Sequence, residues 1–330
     1  MRIASLVPSS TEMLFALGLG DQVVAVTHEC DFPPEAGELP HLSETVIPEG
    51  LSPAAIDAEV KRVVSNGDPL YRLKADVLRE TKPDLIIAQD VCAVCAVSYD
   101  DVVSIAKTLP NSPEVLRQDP TSLEEVLANA GEVARAAGVK GNGEALARSL
   151  WKRIEAVTGA VAGRRRRKVV ALEWLDPPFT GGHWVPEMID LAGGIDLAGR
   201  AGEKSLETTW DALGNLDADA VVVMPCGYYA EEAERQAVGY LDQIRTMAPE
   251  EVFAVDAAAS FSRPGPRLVD GIELLGHLLH PDQVPAPVGL ESRRIPPGLK
   301  GPGSEAEQGK QAEHDTGRGR RLRDHYREHD

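Results

Sequence analysis

The sequence is poor in cysteine and in aromatic residues, and short of positive charge relative to negative. Its 330 residues hold only four cysteines. So few thiols do not make a disulfide scaffold. Lysine and arginine total 34 against 52 aspartates and glutamates, a formal net charge of -18. That acidic excess argues against nucleic acid or an anionic membrane surface as a partner. No run reaches the roughly 20 apolar residues that cross a bilayer, so membrane insertion is not expected. The signatures GxSxG, HExxH and the P-loop are missing. His28-Glu29-Cys30-Asp31 can be drawn as an acid–base cluster. Neighbours on an extended loop point to opposite sides, however, so the expectation is a protein that is not an enzyme.

The opening MRIASLVPSS carries one arginine and then a short β-rich run to Pro8. It lacks the basic region, the apolar stretch of about 7–15 residues and the small-residue cleavage site of a secretory signal. The expected location is the cytoplasm, where thiols stay reduced. A misassigned start would instead place the protein in the periplasm or elsewhere outside the cytoplasm.

What is present is the pattern of an α/β protein. Strand-length apolar runs alternate with helix-length periodic segments. In the first half the strands are Ile3–Val7, Val23–Val26, Asp84–Ala88 and Glu114–Arg117. The first helix is expected over Thr11–Leu17, with Ser9, Ser10 and Thr11 as N-caps. Two helical segments, Ser122–Ala137 and Gly143–Ala162, follow with GVKGNG between them and no strand. The second half repeats the alternation, with strands at Val169–Glu173, Ala220–Val223 and Val252–Val255. From about Leu290 the chain turns to Pro/Gly clusters and mixed charge, expected to be a disordered tail. The organisation is therefore an N-terminal half (1–138), a helical connection (139–167), a C-terminal half (168–289) and a tail (290–330).

In open α/β sheets, ligands bind beyond the carboxyl ends of the strands. Those positions hold VPSSTEM, THECDFP, QDVCAVC, WLDPPFTGGHWVPEM, MPCGYY and DAAASFSRPGPR. All four cysteines, Cys30, Cys92, Cys95 and Cys226, fall in these segments. So do Ser9, Ser10, His28, His183 and the pair Tyr228-Tyr229.

Three stretches carry a family resemblance: RIASLVPSSTEMLFALGLGDQVVAVTHECDFP, WLDPPFTGGHWVPEMIDLAGG and FSRPGPRLVDGIELLGHLLHP. Over about residues 1–284 the chain resembles the iron-siderophore and cobalamin family of ABC-transporter substrate-binding proteins, its cobalamin-binding branch in particular. The resemblance implies two Rossmann-like lobes joined by a long backbone helix, with the ligand in a cleft between them. It also implies a rigid, monomeric receptor, cobalamin or a related corrinoid as ligand, and an ABC permease as partner. Transporter-coupled relatives dock through one exposed glutamate on each lobe. Asp76 and Asp211 stand at those places here, with a shorter side chain.

A large flat ligand suits Trp174, Phe179, Trp184, Tyr228 and Phe261, which offer flat faces and polar tips. Core packing is the alternative for each. Trp184 stands out, on a glycine-loosened loop before a helix. His183 offers a metal ligand or a hydrogen bond. Arg263 offers a contact to a carboxylate, amide or phosphate, or else an ion pair within its loop. His28, Ser9 and Ser10 complete the candidate ligand contacts. The cysteines leave more open. Four thiolates would hold zinc or iron across the cleft. Alternatively, Cys92 and Cys95 form a redox pair at a helix start, or the thiols are small buried residues. The second reading of the whole chain is thus a cytoplasmic metal-binding or thiol-redox protein.

Overall fold

The computed structural model describes residues 1–89, 97–299 and 301. The N-terminal lobe runs β1 (Ile3–Ser5), α1 (Pro8–Ala16), β2 (Val23–Ala25), β3 (Ser43–Thr45), α2 (Pro53–Ser65), β4 (Tyr71–Leu73), α3 (Ala75–Thr81), β5 (Leu85–Gln89), α4 (Tyr99–Ala106) and β6 (Glu114–Gln118). Helices α5 (Leu123–Ala136) and α6 (Lys140–Val161) follow. The C-terminal lobe runs β7 (Arg167–Leu175), β8 (Pro178–Thr180), α7 (Val185–Leu191), β9 (Gly194–Asp196), α8 (Trp210–Leu213) and β10 (Ala220–Val223). It ends with α9 (Ala230–Gly239), α10 (Leu241–Arg245), β11 (Glu251–Val255), α11 (Ala257–Ser260), α12 (Leu268–Leu279) and β12 (Ser292–Arg294).

The two lobes share one strand order. In the first, β2, β1, β5 and β6 lie side by side and parallel. In the second, β9, β7, β10 and β11 do the same. The central strands read as continuous apolar runs, Leu85–Ala88 and Ala220–Val223, because helices cover both faces of each sheet. Strand β7 is nine residues long, and its outer edge carries β9 at its start and β8 toward its end.

Helix α5 fastens the lobes together. It opens on a capping box, with the Ser122 hydroxyl accepting from the Glu125 amide and the Glu125 carboxylate accepting from the Ser122 amide. Its first half, Leu123, Val126 and Leu127, packs into the core of the C-terminal lobe. Its second half, Ala130, Val133 and Ala134, packs into that of the N-terminal lobe. Helix α6 begins against the first lobe, where Asn142 donates to the Leu17 carbonyl at 2.9 Å. It runs on into the second lobe through Leu150, Ile154 and Val157. There Arg153 makes a bidentate pair with Glu273 and a further bond to Asp270.

Several expectations are corrected at element ends. Helix α1 starts at Pro8, whose fixed backbone suits a first helical position. Ser9 and Ser10 are therefore buried within its first turn and cap nothing. GVKGNG does not interrupt α6, which contains both Gly141 and Gly143. A Cβ at Gly143 would lie 2.5 Å from Ala134 Cβ, so this glycine permits the close approach of α5 and α6. The residues just after 290 are not a structureless tail. Strand β12 pairs antiparallel with β11, Ile295 is buried, and both extend the C-terminal lobe.

Candidate functional site

The lobes meet where α1 and the loop after β2 face the segments after β10 and β11. Among the described residues, ion pairs span the seam at two places. One is deep. Arg263 of the C-terminal lobe donates to Asp31 at 2.6 Å, to Glu12 at 3.0 Å and to the Glu29 carbonyl at 3.0 Å. Arg267 reaches the same Glu12 oxygen at 3.4 Å and stacks on the Phe32 ring at 4.0 Å. The Tyr229 hydroxyl donates to the other Asp31 oxygen. The Glu12 side chain is 2% exposed and that of Arg263 12%. Burial acts to raise the Asp31 carboxyl, but the Arg263 guanidinium and the Tyr229 hydroxyl outweigh it and hold it below its usual range. Burial pushes Glu12 up despite both arginines. The second pair is shallow. Lys61 on α2 reaches Glu207 at 2.8 Å, with both side chains about half exposed.

The C-terminal lobe carries an aromatic edge at the end of β7. Trp174 and Phe179 are paired across β7 and β8, and both are half-buried. The Tyr228 ring lies 5.9 Å from Trp174. Trp174 is held by its indole N–H on the Asp176 carbonyl at 3.1 Å, while Tyr240 donates to the Asp176 carboxylate at 2.8 Å. From the N-terminal lobe, His28 bonds Ser43 at 2.8 Å, and its ring lies 5.6 Å from Tyr71.

A buried carboxyl sits behind that edge. Glu173 accepts from the Gly182 amide at 3.0 Å and from the Ser205 hydroxyl. Burial pushes it up to about 7, against the pull of both bonds. It joins the Gly181-Gly182-His183 loop to the loop around Ser205, where a Cβ at Gly182 would lie 2.3 Å from the Ser205 nitrogen. His183 has φ +50, a strained left-handed backbone for a histidine, held by bonds to Glu203 and Gly202. Its imidazole is half-buried, and burial, with Lys204 nearby, lowers its basicity. Sequence patterning did not single out Glu173. The available signal was a lone acid following the apolar run Val169–Leu172 of β7.

The candidate residues therefore divide. Arg263 bridges the lobes, while Trp174, Phe179, His183, Tyr228 and His28 are half-buried, each with partners in its own lobe. Trp184 and Phe261 do not present faces to the seam: they are 6% and 2% exposed and belong to the C-terminal core. The Trp184 N–H is used up on the Phe261 carbonyl at 2.7 Å. A helix of seven residues starting just after Trp184 turns that ring inward rather than into the cleft. Ser9 and Ser10 are likewise buried, Ser10 bonded to Gln118.

The two described thiols stand in different surroundings. Cys30 is 2% exposed in the N-terminal core and lies 3.1 Å from both Thr11 and Thr27 hydroxyls. Burial pushes its thiol up, away from the thiolate a metal needs. Cys226 is exposed. Cys92 and Cys95 lie outside the described residues. Among the described residues no group of three or more His, Cys, Asp or Glu side chains is placed to hold a metal ion. Asp76 and Asp211 are exposed, one in the first turn of α3 and one in that of α8, ahead of the corresponding strands β5 and β10.

Two lobes of matching strand order, a helical spine and a seam lined from both sides define a cleft-type binding protein. The chain belongs to the periplasmic binding protein family, whose model matches residues 3–258. It is 25% identical over 289 residues to the uncharacterized ABC transporter substrate-binding lipoprotein YvrC of Bacillus subtilis, covering 85% of this chain and 80% of that one. It is 24% identical to the vitamin B12-binding protein of Vibrio cholerae over 198 residues, 59% of this chain and 60% of the relative. Among solved structures, the periplasmic vitamin B12 binding protein BtuF of Vibrio cholerae superposes with a TM-score of 0.62 at 20% identity, covering 86% of this chain and 97% of that one. The periplasmic heme-binding protein RhuT from Roseiflexus gives 0.61 at 21% identity, with coverages of 85% and 98%. The expected two-lobe, helix-joined architecture is thus found. The expected cytoplasmic location has no support among these relatives. No helix among the described residues is long and apolar enough to cross a membrane.

Proposed function

We propose that this protein binds a flat, metal-centred macrocycle of the corrinoid class between its lobes, without catalysis, and hands it to an ABC permease. The observation that carries this reading is the half-buried aromatic edge of Trp174, Phe179 and Tyr228 on the C-terminal lobe, whose neighbour Tyr229 bonds Asp31 of the other lobe. Rigid aromatic faces suit a broad, partly apolar ligand. The relatives named for vitamin B12 support the corrinoid class. Asp76 and Asp211, exposed at matching places on the two lobes, are the proposed permease contacts.

Heme is the second reading, favoured by one observation. His183 is a half-buried imidazole of lowered basicity, suited to an iron ligand. The four-thiolate metal-binding reading is weaker, because Cys30 is sequestered in the core.

The test is to titrate the purified protein with cyanocobalamin and with hemin, following tryptophan quenching and the visible spectrum. Mass spectrometry identifies any ligand that co-purifies. Saturable one-to-one cobalamin binding is expected. Failure to bind either macrocycle refutes the proposal.

A further inference from the structure

Resting on that reading, we infer that Asp31 is a specificity determinant that makes the cleft favour an amide-fringed corrinoid over a carboxylate-bearing macrocycle such as heme. Arginine is the residue best suited to grip a carboxylate, through two parallel N–H···O bonds. Among the described residues Arg263 and Arg267 bond across the interlobe seam, and Arg263, the more fully engaged, has both terminal nitrogens occupied. Arg263 spends one terminal nitrogen on Asp31 and Glu12 and the other on the Glu29 carbonyl. Arg267 lies on Phe32 and touches Glu12.

Asp31 is the group that matters most. It meets Arg263 with one oxygen and Tyr229 with the other, and its side chain is 42% exposed. A ligand carboxylate approaching Arg263 would have to displace Asp31 or sit beside its charge. The first loses a short ion pair, and the second is like-charge repulsion. Carboxamides carry no charge and meet neither penalty. The placement is favourable for this discrimination, since Asp31 and Tyr229 adjoin His28 and Tyr228 along their loops. Lys204, beside His183, does not reverse this balance. It is a flexible point charge that cannot make the planar two-bond contact.

The experiment compares cyanocobalamin and hemin affinities for the full-length protein and its Asp31→Asn variant at neutral pH. Wild type is expected to prefer cyanocobalamin. Asp31→Asn keeps the shape and a partner for Tyr229 but removes the charge. Hemin affinity should then rise about tenfold, as for the release of one close charge pair, while cyanocobalamin affinity stays within about twofold. Asp31→Glu, which restores the charge, should return the ratio toward wild type. A loosened seam alone would move both ligands together. If Asp31→Asn fails to melt cooperatively, Asp31→Ser, which also removes the charge and leaves Tyr229 a hydroxyl partner, is read the same way. An unchanged ratio in a folded variant, or a wild-type protein that prefers hemin, overturns the inference while the binding function stands. Failure to bind either ligand overturns both.

Discussion

The two ion pairs that cross the seam use the same chemistry in opposite surroundings. Arg263 with Glu12 and Asp31 is largely out of water, whereas Lys61 with Glu207 stands in it. In a buried pair the partners depend on each other, because removing one leaves the other charged and poorly solvated. In an exposed pair water replaces a lost partner at little cost. One pair is therefore structural and the other dispensable, although a contact list ranks them alike.

The largest expected effect follows from replacing Arg263 with Met. It strands Glu12 and Asp31 and should cost about 3 kcal/mol, the low end for a broken buried pair because Asp31 retains some water. Denaturant unfolding measures it, and a loss below about 1 kcal/mol would equate the two pairs.

A second contrast lies in pH. Glu173 has a folded-state pKa of about 7, above the carboxylate norm, so the fold holds its proton. That stabilisation is complete below the ordinary carboxylate range and is lost as pH rises toward about 7. Its size is on the order of 3 kcal/mol. Asp31 is shifted the other way, so its contribution is present above the ordinary carboxylate range and is lost as pH falls through its lowered pKa. Melting curves of Glu173→Gln between mildly acidic and neutral pH should lack the downward slope that wild type shows. An identical slope in the variant would locate the titration elsewhere.

The two tryptophans sharpen the comparison between seam and core. Trp174→Ala should weaken cyanocobalamin binding by about 2 kcal/mol with little change in stability. Trp184→Phe should leave binding unchanged and cost about 1 kcal/mol of stability, through the orphaned Phe261 carbonyl. Fluorescence titration and thermal melts separate these outcomes. The smallest effect belongs to Lys61→Ala, at most about 1 kcal/mol and fading in high salt. A larger, salt-insensitive loss would show that this bridge is not the solvated contact described.

Much of the fold is legible because apolar runs such as Leu85–Ala88 and Ala220–Val223 leave no choice but a strand covered on both faces. The short pieces β3, β4, β8 and β9 are not, since each is three residues long and held by tertiary pairing rather than by its own pattern. In the site, the strand-end rule names loops but not the direction of each side chain within them. Trp174 lies near the end of β7 and Trp184 just before α7. One is half-buried and the other belongs to the core, a difference set by the elements on which they sit. The charge on Arg263 is plain in the sequence. Its partners Glu12 and Asp31 lie more than 230 residues away along the chain, beyond the reach of any local pattern.

Strand β12 has a consequence for anyone shortening this protein. It shields the open edge of β11. A fragment ending near residue 290 would expose a row of unpaired amides and carbonyls on a flat apolar strand, ready to recruit the same strand of another molecule. The short return stroke after α12 thus serves solubility, by keeping one copy of the protein from becoming a template for the next.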